Sequence, residues 1–166
     1  TGVQNTLIGG LAGDAITTAS NNTALGYASL SANTTGTENT ALGMSSAAGN
    51  TTGNYNVSLG KGTLQTNTTG ASNTAVGTNS LQNATTASNN TAVGNSALIA
   101  NTTGTSNTAV GKSALAANIT GSNHTALGKD ALLVSTAGGY DTALGDSVLK
   151  ANTTGNYNTG VGASAL

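Results

Sequence analysis

Apolar and polar residues recur along this chain with a period of 17 residues. In the stretch NTALGYASLSANTTG, at 22–36, a polar-small-aliphatic-glycine run precedes a leucine segment and then the turn-like sequence NTTG. An aliphatic residue followed by glycine returns every 17 positions, from Ile8–Gly9 to Val161–Gly162, without insertion or deletion. Such a gapless period predicts that every unit occupies an equivalent structural position.

Each unit predicts two short extended segments separated by two turns. Thr and Val suit pleated strands, whereas Asn, Ser and Gly favour caps and turns over helix interiors. Helical-hairpin repeats need about 33 residues, and the preferred hairpin dipeptides NG and DG are missing from the sequence. We therefore expect an all-β fold, a parallel β-solenoid of about ten 17-residue coils, with residues 1–166 forming one repetitive segment of a longer fibre.

Side-chain alternation along a strand predicts which residues line the core. We place the aliphatic residue before each glycine inside the coil, facing the leucine that follows four positions after that glycine. Alanines such as Ala92 and Ala109 should then form a smooth outer row against which another chain packs. The predicted core residues are Leu25, Leu42, Leu59, Val76, Val93, Val110, Leu127, Leu144, Leu64, Leu81, Leu98, Leu115, Leu132 and Leu149.

Two polar or small positions repeat with the same phase. Asparagines four residues before the glycine predict an amide ladder, in which each side chain bonds its copy in the next coil: Asn22, Asn39, Asn56, Asn73, Asn90 and Asn107. The repeated glycines predict sharp turns: Gly26, Gly43, Gly60, Gly77, Gly94, Gly111, Gly128 and Gly145. Gly104 and its equivalents should close the second corner, through positive φ or close packing.

Composition and charge narrow the choice of partners. Only 5% of the residues are charged and 2% aromatic, and the formal net charge is −1. The chain therefore has no excess of positive charge that would attract nucleic acid. No apolar run is long enough to span a bilayer. We expect neither nucleic-acid binding nor membrane insertion.

Residues for catalysis or cofactor binding are sparse. The acids are scattered over different phases, there is no Cys, and the one histidine, His124, occupies the ladder phase, where we expect it to act as a tolerated substitute for Asn. We therefore predict no enzyme activity, no cofactor and no metal site. The asparagines of the NTTG-type corners match the N-glycosylation acceptor sequence, but turn and ladder roles are the simpler interpretation: Asn33, Asn50, Asn67, Asn101, Asn118 and Asn152.

Three tyrosines, Tyr55, Tyr140 and Tyr157, share one phase. Tyr140 and Tyr157 belong to consecutive units and should stack on the surface. Such a pair could contact a carbohydrate through its aromatic faces, or it could simply stiffen the sheet.

The elements NTAVGxxAL and NTALG resemble the head repeats of trimeric autotransporter adhesins and the repeat regions of bacteriophage tail fibres. The resemblance covers residues 5–166 and departs from the adhesin heads in its longer period and in the NTTG corner. It implies a left-handed parallel β-roll of three chains around one axis, located outside the cell or on a virion.

Energetics also favour an oligomer. Two buried aliphatic side chains contribute about 3–6 kcal/mol per coil, whereas ordering the backbone costs roughly 1–2 kcal/mol per residue. We expect a structural fibre segment that spaces or presents an adhesive tip and associates with itself as a trimer or fibre. Two alternatives are an adhesin whose repetitive faces bind cell-surface glycans or matrix directly, and an ice-binding solenoid, because threonines also form a regular row.

Overall fold

The computed structural model describes residues 2–165, which form a β-solenoid of parallel strands, with no helix in that range and hence none that could cross a membrane. Ten strands of three residues follow one another in a single sheet, in chain order. Their bounds are β1 Thr6–Ile8, β2 Thr23–Leu25, β3 Thr40–Leu42, β4 Val57–Leu59, β5 Thr74–Val76, β6 Thr91–Val93, β7 Thr108–Val110, β8 Thr125–Leu127, β9 Thr142–Leu144 and β10 Thr159–Val161. The predicted all-β parallel solenoid is confirmed.

Each strand pairs in register with its copy one unit later, so Thr74 lies beside Thr91 and Val76 beside Val93. We number the coils after their strands and begin each coil one residue before its strand: coil 1 is 5–21, coil 8 is 124–140, and coil 9 is 141–157. Backbone bonds connect a coil to both neighbours. In coil 6, Thr91 N–H donates to Asn107 O and Gly94 N–H donates to Val76 O, both at 2.8 Å. Equivalent residues therefore stack directly over one another.

The prediction from the sequence placed the aliphatic residues of the strands on the wrong side of the sheet. The central alanines, including Ala75 and Ala92, are 0% exposed and line the core, whereas Leu25 and Leu144 are 42% and 44% exposed. The outward-facing residues, each exposed or only partly buried, are Leu25, Leu42, Leu59, Val76, Val93, Val110, Leu127 and Leu144. The other half of the predicted core is buried: Leu64, Leu81, Leu98, Leu115, Leu132 and Leu149. The alanine row is consequently not a surface for another chain.

The reason for the reversal is the narrow width of the coil. In coils 2 and 4–9 a buried leucine from the turn faces a small residue at the strand centre, which is alanine or, in coil 4, serine. Coil 1 exchanges the two sizes: Leu7 occupies the strand centre and Gly13 the turn, where a Cβ would lie 2.8 Å from Leu7 Cδ2. Two large aliphatics per coil, as the sequence suggested, would overfill this space.

The polar half of the core consists of two stacked columns of asparagine. In the first column, Asn39 donates from its backbone N–H (2.9 Å) and from Nδ2 (3.2 Å) to Asn22 Oδ1. Asn39 Nδ2 also donates to Gly53 O at 2.8 Å. Each side-chain oxygen in the column therefore accepts a hydrogen bond from the next coil. The ladder residues are at most 1% exposed: Asn22, Asn39, Asn56, Asn73, Asn90 and Asn107.

A second amide column lies at the NTTG-type corner, where the sequence suggested mainly turn residues. Asn50 Nδ2 donates to Asn33 Oδ1 at 3.1 Å and to Gly53 O at 3.0 Å. Except for Gly138, which has a φ of 97°, the corner glycines pack against this column without positive φ: a Cβ on Gly53 would lie 2.5 Å from Asn50 Oδ1. Where the column loses its asparagine, to Ile16 or Ala84, the corner glycine is replaced by alanine, Ala19 or Ala87.

The glycines that end the strands adopt φ angles that other residues rarely tolerate. Gly94 has φ 137°, and a Cβ there would lie 2.5 Å from Gly111 O in the next coil. Both the conformation and the close approach of the stacked backbones require glycine. The turn residues Gly26, Gly43, Gly60, Gly77, Gly94, Gly111, Gly128 and Gly145 all have φ between 113° and 139°.

Candidate functional surface

The outward side of the sheet forms one continuous surface along the rod, which we call the outer face. It consists of the first and third residue of every strand, one threonine row beside one aliphatic row. Its members are Thr6, Ile8, Thr23, Leu25, Thr40, Leu42, Val57, Leu59, Thr74, Val76, Thr91, Val93, Thr108, Val110, Thr125, Leu127, Thr142, Leu144, Thr159 and Val161. Val57 is the one departure from the threonine row.

The outer face is uncharged and largely apolar. None of its residues is ionisable. Ile8, Leu42 and Leu127 are 56%, 43% and 44% exposed. Because parallel strands lie about 4.8 Å apart, the methyl groups and hydroxyls repeat at that interval for the length of the rod. A contiguous exposed apolar surface of this kind is typical of an interaction site.

The predicted tyrosine stack is present. The rings of Tyr140 and Tyr157 lie 5.0 Å apart between centroids, with planes inclined by 9°. Both side chains are exposed, at 56% and 76%, and Tyr55 is equally exposed, at 55%, on a distant coil. The pair joins coil 8 to coil 9, so its clearest physical effect is a contact between these two coils.

His124 occupies the first amide column, in the phase predicted from the sequence. Its backbone N–H donates to Asn107 Oδ1 at 3.0 Å, as an asparagine would. The imidazole, 1% exposed, cannot supply the side-chain NH₂ group, and neither ring nitrogen has a hydrogen-bond partner within residues 2–165. His124 therefore continues the column through its backbone alone.

Asp141 occupies the next position of the same column. Its Oδ1 accepts the backbone N–H of Asn158 at 2.8 Å and Asn158 Nδ2 at 3.0 Å, so the acceptor half of the amide pattern is retained. Asp141 Oδ2 accepts from Asn152 Nδ2 at 3.0 Å and lies 3.5 Å from His124 Nδ1. Burial lowers the pKa of His124 below 6.5, and the Asp141 carboxylate partly opposes this shift.

Most of the corner asparagines that match the N-glycosylation acceptor sequence are buried and hydrogen-bonded in the fold. Asn33, Asn50, Asn67, Asn101 and Asn118 are at most 1% exposed, and their Nδ2 groups donate to the carbonyl oxygens of the corner glycines. In the folded chain these side chains are not accessible to a modifying enzyme.

Sequence reasoning missed two features of the surface and the core. The outer face was not recognised because the aliphatic residues were predicted to face inwards, although seven of the ten units place alanine between an uncharged threonine and an aliphatic residue. The second amide column was hidden because NTTG is also an ordinary turn sequence.

No family model, curated protein or solved structure matches this chain significantly. Within the described part of the chain, the surface has no ligand-sized cavity and no cluster of three or more His, Asp or Glu residues.

Proposed function

We propose that this chain is a rigid shaft segment of an extracellular or virion surface appendage, which spaces or presents an adhesive tip located elsewhere. The observation that carries the proposal is the uncharged outer face, which continues over all ten strands of a solenoid. Ten coils at about 4.8 Å give a rod of roughly 48 Å. Further coils lengthen such a rod without changing its chemistry, as a spacer requires. The resemblance of its NTAxG elements to adhesin heads and tail fibres supports the location.

The same face supports self-association. A surface with a period of about 4.8 Å is matched along its full length only by a partner of the same period, and another copy of this chain has that period. The three-residue strands make the face about 10 Å wide, so two copies would bury about 1,000 Å² in total, which is at the lower limit for a specific interface. Burial of the exposed aliphatics stabilises the assembly, and the absence of charge on the face removes a desolvation cost.

Sedimentation equilibrium of the purified chain tests the assembled shaft. We expect a multiple of the 15.8 kDa chain mass. Val110→Asp, on the outer face, should yield the single-chain mass while the β-rich circular dichroism spectrum is kept. A monodisperse 15.8 kDa species for the unchanged protein would refute the self-associated shaft.

Rod length provides the second arm of this test. Duplication of residues 39–123, which are five complete coils, should lengthen the particle by about 24 Å in electron micrographs. A globular particle, or one whose length does not change, would refute the shaft.

Ice binding is the second candidate, favoured because the threonine and aliphatic rows lie on the same outward side. A flat array of methyl groups and hydroxyls at regular spacing could order water on its surface. Thermal hysteresis of the purified chain would support this function, and it should then disappear in Thr91→Tyr. Normal freezing of the unchanged protein would eliminate it.

Direct glycan binding remains the alternative adhesive function and is supported by the exposed aromatic faces of Tyr140 and Tyr157. Binding on a glycan array that is lost in Tyr157→Ala would favour it over the spacer.

A further inference from the structure

The junction between coils 8 and 9, which we call the seam, lacks two backbone hydrogen bonds that every preceding junction has. One step earlier, Ala117 N–H donates to Leu133 O at 3.0 Å and Thr120 N–H donates to Thr136 O at 3.3 Å. The equivalent donors at the seam, Val134 and Ala137, make no such bonds to the described residues of coil 9. Fewer backbone hydrogen bonds therefore connect the coils at the seam than at any preceding junction.

The second amide column is also interrupted at the seam. At a regular junction the corner asparagine donates to its copy in the preceding coil, as Asn118 Nδ2 does to Asn101 Oδ1 at 2.9 Å. Ser135 has no amide oxygen for Asn152 Nδ2 to reach across the seam. On the other side of the seam, Asn152 Nδ2 turns to Asp141 Oδ2. The second amide column therefore makes no hydrogen bond across the seam among the described residues.

The first amide column is the third connection that fails. A regular member such as Asn107 donates its backbone N–H to the side-chain oxygen of the column residue in the preceding coil, Asn90 Oδ1, at 2.9 Å. Asp141 makes no such bond across the seam, because His124 offers no side-chain oxygen and its ring nitrogens have no hydrogen-bond partner in the described chain. Both buried columns and part of the backbone ladder thus fail at one place.

We propose that the seam is an acid-sensitive opening point, at which coil 9 and the residues after it separate from coils 1–8 when the buried imidazole of His124 takes up a proton. In a solenoid each coil contacts only its neighbours, so the loss of one junction detaches everything beyond it without unfolding the rest. The proposal concerns the chain itself and is independent of the shaft function.

The direction of the effect follows from the surroundings of His124. Burial lowers its pKa in the folded chain, and Asp141, the ionisable side chain against the ring, raises it by less. The neighbours Asn107 and Asn118 are neutral, and Lys129 and Lys150 contact Asp130 at the surface. A lowered folded pKa means that stability is complete above the unfolded value of about 6.5 and is lost as the pH falls from there towards the folded pKa.

Amide hydrogen exchange of the full chain tests the seam at residue level. Gly145 and Ser147 donate across it, to Leu127 O and Lys129 O, whereas Gly94 and Ser96 make the same bonds at a regular junction. The unchanged protein is compared with His124→Asn at the same pH, so that intrinsic exchange rates cancel. Asparagine occupies this phase in most units, so His124→Asn should fold.

At pH 5.0 we expect Gly145 and Ser147 to exchange faster in the unchanged protein than in His124→Asn, by a ratio that exceeds the ratio at pH 7.5, because only the unchanged protein takes up a proton at position 124. At pH 7.5 the ratio should be smaller, because both proteins are then neutral at position 124 and only the amide bonds that asparagine restores distinguish them. A ratio that did not rise from pH 7.5 to pH 5.0 would overturn the proposal. Gly94 and Ser96 should exchange equally in both. Equal rates at the seam at pH 5.0, or equal acceleration at Gly94, would overturn the proposal.

Ser135→Asn separates the histidine from the weak junction itself. This variant supplies an amide oxygen that Asn152 Nδ2 can reach across the seam and keeps His124, so exchange at Gly145 should slow by the same factor at both pH values. If Ser135→Asn removed the pH dependence instead, His124 would not be the sensor and the proposal would be wrong.

Discussion

Coil 5 and the seam both interrupt the repeat, but with different consequences. In coil 5, Ala84 replaces the corner asparagine and leaves Asn67 Oδ1 without a partner among residues 2–165. The first amide column nevertheless continues through Asn73, and the backbone ladder of coil 5 is complete. At the seam both amide columns and two backbone bonds are lost together. Coil 5 therefore loses one of the three kinds of connection to a neighbouring coil, whereas all three are reduced together at the seam.

The stacked tyrosines partly offset the losses at the seam. Tyr140 and Tyr157 belong to coils 8 and 9, and their rings are nearly parallel at 5.0 Å. An aromatic pair contributes about 0.5–1.5 kcal/mol beyond the area that it buries. This contact replaces, on the surface, connections that regular coils make in the interior.

The largest expected effect comes from a carboxylate inside a regular coil. Ala92→Asp should cost about 3–5 kcal/mol of unfolding free energy, because it leaves a buried charge without a partner. The damage should spread to the neighbouring coils on both sides. The same change beyond the seam, Ala143→Asp, should remove only the circular dichroism signal of the last coils. Urea unfolding followed by circular dichroism measures both.

Val93→Asp is the matched control for this change, one residue along the same strand but on the outer face. It should cost about 1 kcal/mol or less in the single chain. If Val93→Asp proved more damaging to the single chain than Ala92→Asp, the assignment of inner and outer sides would be wrong.

Replacing a column asparagine by histidine in a regular coil should give the next largest loss of stability. Asn73→His removes the Nδ2 bonds to Asn56 Oδ1 (3.1 Å) and Ala87 O (2.8 Å). We expect a loss of about 2–3 kcal/mol, since buried groups remain unsatisfied, measured by thermal and urea unfolding at pH 7.5. Asn89→His, at an exposed position of the same coil, is the control and should change stability by about 0.5 kcal/mol or less.

Repair of coil 5 tests the coupling between the corner asparagine and the corner glycine. Ala84→Asn alone should gain little, because the methyl group of Ala87 occupies the space that the new amide needs. With Ala87→Gly added, the restored column should stabilise the chain by about 1 kcal/mol. A double-mutant cycle measures the coupling, and purely additive effects would show that the two positions do not depend on each other.

The smallest effect should come from the tyrosine stack. Tyr157→Ala removes about 0.5–1.5 kcal/mol from the seam and should accelerate amide exchange at Gly145 without altering Gly94. Tyr55→Ala, which lacks a stacking partner among the described residues, should leave both amides unchanged. Faster exchange at both sites would mean that the stack acts on the whole rod.

The gapless period predicted the parallel solenoid together with the turn-favouring composition and the missing hairpin dipeptides, because units of equal length can stack in register. The period also indicated the first amide column and the turn glycines. Asparagine can both donate and accept along a stacked column, and glycine adopts the positive φ that these turns require. The position of His124 within that column was predictable for the same reason.

The side of the strand that faces inwards was not predictable from hydrophobicity, which assigns the core to Leu or Val rather than to Ala. The deciding quantity was volume: wherever the turn contributes a buried leucine, the strand centre is a small residue. Leu7 opposite Gly13 carries this signal in the sequence. A similar exchange occurs at the last strand, where Gly160 leaves room for Val148, and a Cβ on Gly160 would lie 2.6 Å from Val148 Cγ1.

Cysteine cross-linking measures the register of neighbouring coils most directly, because the chain has no native cysteine. Thr74 and Thr91 are register partners on the outer face, whereas Val93 lies on the same face two residues further along the strand. Partners in adjacent strands are about 4.8 Å apart, within the Cα range of about 4.4–6.8 Å that a disulfide spans. The structure predicts rapid intramolecular oxidation of the Thr74→Cys/Thr91→Cys pair and slow oxidation of Thr74→Cys/Val93→Cys. Equal rates, or faster closure of the second pair, would contradict the in-register solenoid.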